Sequence, residues 1–178
     1  SNYFKNKIIT YDINKSGAGF LFASQDARQS NSFWRLSELM GSLSTKVVCC
    51  SSEMLDSIAS RKKYIAYNLI GSYAQERAKY EKNLIVVYPS DYTLILLRSA
   101  LIPINSKNNN NAVTFLNFLL SSDGQKFLEK KGMYSVSNKK IIQQGNIRPI
   151  RLDTGLLVFL DKLKRKRFLK EWNEAIFQ

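Results

Sequence analysis

The chain has 178 residues, 44% of them hydrophobic, and a formal net charge of +13 from 27 basic and 14 acidic side chains. That length fits one medium domain or two small lobes. The composition is too apolar for disorder, and no run reaches the ~18 apolar residues that a membrane span needs. There is no histidine, which removes Ser-His-Asp and Cys-His catalysis and His-based zinc sites from this chain. No signal-peptide pattern opens the sequence. Ser1-Asn2 reads as a remnant of tag removal, so Tyr3 begins a chosen segment and the missing signal says nothing about location.

In chain order, KIITYD (residues 7–12) reads as a strand, and INKSGAGF as a loop with Gly17 and Gly19. A short helix is expected over 20–28. In NSFWRLSELMGSL, Phe33, Leu36, Leu39, Met40 and Leu43 recur at helical spacing, with Ser30 or Asn31 as cap. TKVVCC (45–50) is a second strand, and Ser51 or Ser52 caps a helix carrying Met54, Leu55 and Ile58. YIAY (64–67) is a third strand, SYAQERAKY a third helix, and NLIVVYP (83–89) a fourth strand stopped by Pro89. This alternation predicts an α/β lobe with helices on a largely parallel sheet. Ligands in such sheets sit beyond the carboxyl ends of the strands. Three junctions qualify: Asp12 to Gly19, Cys50 to Ser52, and Tyr67 to Tyr73.

The second half differs. YTLILLRSALIPIN (92–105) is a long apolar run, SKNNNN a polar loop, and AVTFLNFLLSSDGQKFLEKKG two joined helical patterns. Residues 132–153 read as irregular, with a strand expected at IRPIRL. TGLLVFLDKLKRKRFLKEWNEAIFQ ends the chain as one or two amphipathic helices. Its basic run, Lys162 to Arg167, reads as a solvated helix face. Without zinc-finger spacing or an RNP-like aromatic motif, no nucleic acid is expected as a partner, although charge alone keeps a nucleic-acid-binding protein as an alternative. A bond between the adjacent Cys49 and Cys50 would be strained, so one buried thiol and one partly exposed thiol are expected.

YDINKSGAGFLFASQDA, YIAYNLIGSYA, VVYPSDYTLILLRSALIPINSKN and AVTFLNFLLSSDGQKFL occur in that order. Together with the ending GLLVFLDKLKRKRFLKEWNEAI, they resemble the extracellular solute-binding proteins of bacterial ABC importers. The nearest branch is the type II periplasmic binding proteins for ferric iron, sugar phosphates or phosphoglycerate. The resemblance implies two α/β lobes closing on a ligand. Residues 3–88 would form most of lobe two, and residues 89–178 the hinge return and the C-terminal helical part of lobe one, whose N-terminal part is absent. An exposed apolar surface follows from that absence, to be covered by the missing segment or by a second copy.

Binding needs only pre-placed donors in a cleft, and an anionic ligand favours helix N-termini. Ser16, Gly17 and Gly19 suit such a loop. In YNLIGSYA, Asn68 and Ser72 offer side-chain hydrogen bonds, while Tyr67 and Tyr73 offer hydroxyls and rings, with core packing an equal reading for Tyr67. Asp91 would fix its own turn at the hinge return or face the ligand, and Tyr92 would border the cleft. The ferric branch uses adjacent tyrosines, but here Ala74 stands in the second place, so no metal site is expected and a ferric-iron-binding protein stays only a lesser alternative. No catalytic constellation and no cofactor are expected either. The function implied is capture of a small, anionic ligand outside the cytoplasmic membrane for an ABC permease. A sensor domain of a signalling receptor built on the same fold is the alternative.

Overall fold

A computed structural model describes residues 2–133, 145–151 and 153–178. They divide into two compact units, one of Ser1–Val86 with Arg151–Gln178, the other of Val87–Ile150.

The first unit is built on a parallel sheet of order β2-β1-β3, with β1 at Ile8–Tyr11, β2 at Lys46–Val48 and β3 at Ile65–Ala66. Every residue of β1 is buried, as a central parallel strand covered on both faces requires. Its register sets Ile9 against Lys46 on one side and against Ala66 on the other. Helix α1 runs Gly17–Gln29, starting before the expected 20–28 because Ser16 caps it. The Ser16 hydroxyl accepts from the Gly19 N–H at 3.1 Å, so glycines that read as loop belong to the first turn. Helix α2 spans Phe33–Ser42, α3 Ser51–Ala59 and α4 Gly71–Ala78. The first two follow the apolar spacing read from the sequence, and α4 falls within the expected SYAQERAKY.

The core joins both ends of the chain. After a short helix α7 (Thr154–Leu157) and a 3-10 turn (Val158–Leu160), helix α8 (Lys162–Ile176) closes the first unit. Its buried Phe168, Trp172 and Ile176 pack with Ile8, Phe20, Phe33 and Met40. The rings of Phe33 and Phe168 stack at 6.1 Å. The helices α2 and α8 approach so closely that a Cβ on Gly41 would collide with the Ala175 carbonyl oxygen. By compactness, residues 151–178 group with the first half of the chain, and α8 packs on its core. A satellite cluster of Leu55, Ala74 and Leu84 holds α3 and α4 together.

The expected fourth strand over 83–89 is not formed. Leu84 and Val86 pack onto the satellite cluster, but Ile85 and Val87 are 83% and 80% exposed. The alternation of a half-buried strand is present without a ladder partner among the described residues.

In the second unit, β4 (Thr93–Ile95) pairs in parallel with β5 (Ile147–Pro149), so only a short part of the 92–105 run is strand. The expected strand at 147–152 is shortened to β5. Helices α5 (Asn109–Leu120) and α6 (Ser122–Lys130) are separated by Ser121 alone. Its hydroxyl donates to the Phe118 carbonyl at 2.7 Å and accepts from the Gly124 N–H at 3.2 Å, so one side chain ends one helix and caps the next. No residue of α5 is buried. Leu101, Ile104, Phe115, Phe118 and Leu120 are all exposed. Most of the irregular stretch expected over 132–153 lies outside the described residues.

Candidate ligand-binding junctions

In the sheet order β2-β1-β3 the chain leaves β1 toward β2, then crosses back to place β3 on the opposite side. The connections diverge between β1 and β3. In open parallel sheets, the crevice outside the strand ends at such a switch point is where ligands bind. Two of the three expected junctions flank it, residues 12–17 after β1 and 67–71 after β3. The third, 49–51, stands beside them after β2.

The first junction is a tight, anchored turn. Asp12 is buried, and its Oδ1 accepts from the Asn14 backbone N–H and from Asn14 Nδ2, both at 3.0 Å. The Asn14 amide also donates to Asn173 Oδ1 at 2.8 Å, tying the turn to α8. Ser16 is buried and occupied with capping. Gly17 is exposed, and a Cβ there would meet nothing within 4 Å, so its backbone borders open space. Gly19 is different. A Cβ on it would collide with the Tyr11 side chain, so Gly19 serves the packing of α1 on β1.

At the second junction, Asn68 has φ 61°, in the left-handed region that asparagine tolerates better than most residues. Its Nδ2 donates to Asp26 Oδ2 at 2.6 Å, and the Tyr67 hydroxyl donates to the same oxygen at 3.0 Å. The strand end is fixed as well. Tyr67 donates its N–H to the Ile9 carbonyl at 2.9 Å, and the Thr10 hydroxyl donates to the Tyr67 carbonyl at 3.1 Å. Asp26 itself is only 3% exposed. Tyr67 and Asn68 therefore grip a buried carboxylate on α1 and hold the junction in shape. Ser72 and Tyr73 lie in the first turn of α4, where Ile70, at the cap position, supplies no side-chain bond. Tyr73 is 43% exposed.

The third junction carries a disulfide between Cys49 and Cys50, both exposed. This corrects the expectation of one buried and one partly exposed thiol: β2 ends at Val48, so neither cysteine is inside a strand whose alternation would bury one of them. Cys50 holds the cap position of α3 without a side-chain bond. The Tyr11 hydroxyl shares a hydrogen bond of 2.5 Å with Ser51 Oγ and also meets a backbone group of Ile70. One phenol thus links the ends of β1, β2 and β3. Burial pushes its pKa up, the bonds with Ser51 and Ile70 oppose that, and the nearby Tyr73 adds to the rise.

Asp91 and Tyr92 belong to the second unit. The Asp91 carboxylate accepts from the Tyr92 N–H at 2.8 Å. Among the described residues no group of three or more His, Cys, Asp or Glu is placed to hold a metal ion, and no helix is long and apolar enough to cross a membrane.

The sequence signature described as bacterial extracellular solute-binding protein matches residues 23–134, well over half of the chain. The chain belongs to that family. Among solved structures, the substrate-binding protein of an ABC transporter from Agrobacterium tumefaciens is similar over 97% of this chain, with 30% identity and a TM-score of 0.83. The chain spans 54% of that protein's length. No curated protein matches it. Family membership agrees with the α/β fold with parallel sheets, and both descriptions are those of binding proteins, not enzymes.

Tyr11 and Asp26 were not singled out in the sequence of this solute-binding chain, although they organise its junctions. Asp26 lies in Ser24-Gln25-Asp26, a polar run that is buried throughout. Three consecutive polar residues span about 200° of a helix and can all lie on a solvated face, so the run alone does not mark Asp26 as buried.

Proposed function

We propose that this chain forms the ligand-capturing part of an ABC importer's solute-binding protein, working in the periplasm or otherwise outside the cytoplasmic membrane. The observation that carries the reading is the meeting of three helix N-termini at the switch-point edge of the sheet. Helices α1, α3 and α4 all start there, and α3 and α4 start without a side-chain cap. Uncapped first-turn N–H groups and helix dipoles favour an anion. The net charge of +13 favours the same sign of ligand. The ligand class is a small organic anion, a sugar phosphate or a carboxylate.

In this reading Gly17 gives the ligand backbone access, and Ser72 and Tyr73 line the wall. Ser16, Tyr67 and Asn68 hold the wall in place. Asp91 and Tyr92 shape the return crossing between lobes. The first unit, including α8, is lobe two. Hinge closure of lobe one completes the site, and the closed form is what the permease recognises. The exposed apolar residues of the second unit are covered by the remainder of lobe one, or by a second copy of this chain where that remainder is missing.

A thermal-shift screen of the complete protein tests the reading. A sugar phosphate or carboxylate is expected to raise the melting temperature in a concentration-dependent way, because a ligand that binds only the folded state stabilises it by mass action. No shift with any sugar phosphate or carboxylate overturns it, and a shift with ferric ion alone reassigns the site to metal.

A further inference from the structure

Helix α8 carries a feature that ligand capture does not use. Phe168, Trp172, Ala175 and Ile176 are buried and pin the helix to the core. On a neighbouring face, Lys162, Arg165, Lys166, Leu169 and Lys170 recur at three- and four-residue spacing and, with Asn173 and Glu174 toward the far end, border one open depression of about 510 Å³. Further along the helix, acids compensate the bases: Arg167 pairs with Glu171 at 2.7 Å and Lys170 with Glu174 at 3.7 Å. Over its first five residues they do not. Lys162, Lys164, Arg165 and Lys166 have no carboxylate within ion-pair distance among the described residues. The one acid at that end, Asp161, accepts the N–H groups of Leu163 and Lys164 as the helix cap. Arg165 lies over the Phe20 ring at 4.7 Å, which orients its charge without neutralising it. Beside these cations two leucines face solvent, Leu160 at 62% and Leu163 at 79% exposure.

We propose that the first half of α8 is a docking surface for an anionic phospholipid headgroup layer. Unneutralised cations beside exposed leucines, held on a rigid helix, match what an anionic membrane interface attracts: dispersed charge with a shallow apolar contact. A protein partner would need a central apolar or aromatic anchor entering a pocket. Binding to single-stranded nucleic acid would use aromatic stacking platforms, and residues 161–167 include no aromatic. The inference shares with the ligand reading only the extracytoplasmic setting. The ligand junctions lie on other elements, so either reading can fail alone.

The test is co-sedimentation of the full chain with phosphatidylcholine vesicles, with and without phosphatidylglycerol. Binding is expected only to vesicles containing phosphatidylglycerol, and is expected to vanish at about 1 M salt, where the screening length shrinks to ~3 Å. The triple variant Lys162→Gln, Lys164→Gln, Lys166→Gln should lose about a hundredfold in partition. A matched triple on other elements, Lys5→Gln, Lys62→Gln, Lys82→Gln, should bind nearly as the parent does. Both triples change exposed side chains only, and unchanged melting curves confirm that they fold. Three outcomes overturn the proposal: no dependence on phosphatidylglycerol, an equal loss in the two triples, or duplex DNA displacing the vesicles at equal salt.

Discussion

The Tyr11 and Ser51 hydroxyls stand 2.5 Å apart, so the last residue of β1 is fastened to the first residue of α3. The bond lies where the strand ends meet the helix starts, and its chemistry is open to titration. Burial makes the phenol hold its proton more tightly in the folded chain than in the unfolded one. With the folded pKa raised, the stability this group contributes is intact below its ordinary value of 10.0 and is lost as pH rises from there through the raised value. Melting temperatures measured from neutral pH into alkali should therefore fall past pH ~10. Tyr11→Phe should cost about 1 kcal/mol at neutral pH for the lost bond, and its alkaline fall should be shallower than that of the parent.

Gly17 and Gly19 stand two residues apart in one helical turn and should respond oppositely to alanine. Gly17→Ala meets open space and should leave stability unchanged or raise it by about 0.4–1 kcal/mol. It should still weaken binding of the anion class found by the thermal-shift screen, because a methyl group narrows the approach to the backbone. Gly19→Ala drives a methyl into Tyr11 and should destabilise by about 1–3 kcal/mol, as overpacking does. Chemical denaturation reads both, and titration of the ligand reads the first.

The buried Asp26 carboxylate accepts from Tyr67 and Asn68, which makes the second junction a test of backbone strain. Asn68→Gly and Asn68→Ala both remove the bond to Asp26. Only alanine is strained at φ 61°, so the alanine variant should be less stable by about 1–2 kcal/mol. Equal stability of the two variants would show that the left-handed conformation is not retained. Asp26→Ala, which leaves both donors without that partner, should cost about 1–3 kcal/mol.

Helices α2 and α3 were legible because Phe33, Leu36 and Met40, then Met54, Leu55 and Ile58, announce their faces by spacing. The three junctions followed from the alternation of strand and helix. The switch point did not, because sheet order is a property of non-local pairing, and nothing in TKVVCC or YIAY says which side of β1 each will take. NLIVVYP has the pattern of a strand, yet a strand also needs a neighbour to bond, and pattern alone cannot supply one. The packing of α8 was hidden for a similar reason. Phe168 and Trp172 mark a buried face, but which distant residues they meet is decided by the fold. At the site, the polar character of Asn68 and Tyr67 was visible. Their attachment to Asp26 was not, because a carboxylate in a helix reads as solvated until its burial is known.

Phe168 contacts the rings of Phe20, Phe33 and Trp34, so Phe168→Ala should cost about 3–5 kcal/mol and loosen the first unit. Phe118→Ala, on the exposed side of α5, should change the stability of the isolated chain by no more than about 0.5 kcal/mol. Urea unfolding of the two variants checks the assignment of residues 151–178 to the first unit. A comparable loss in both would argue against it.

That assignment has a consequence for the order of events during synthesis. Phe20 and Phe33 are made before their partners Phe168, Trp172 and Ile176, with the whole second unit made in between. A growing chain cannot seal the core of this unit until α8 is free. Until α8 is made, Phe20 and Phe33 lack those partners, so this unit should gain its cooperative stability only once α8 docks. Shortening the chain by α8 alone should leave a product that never takes that step, however complete its sheet.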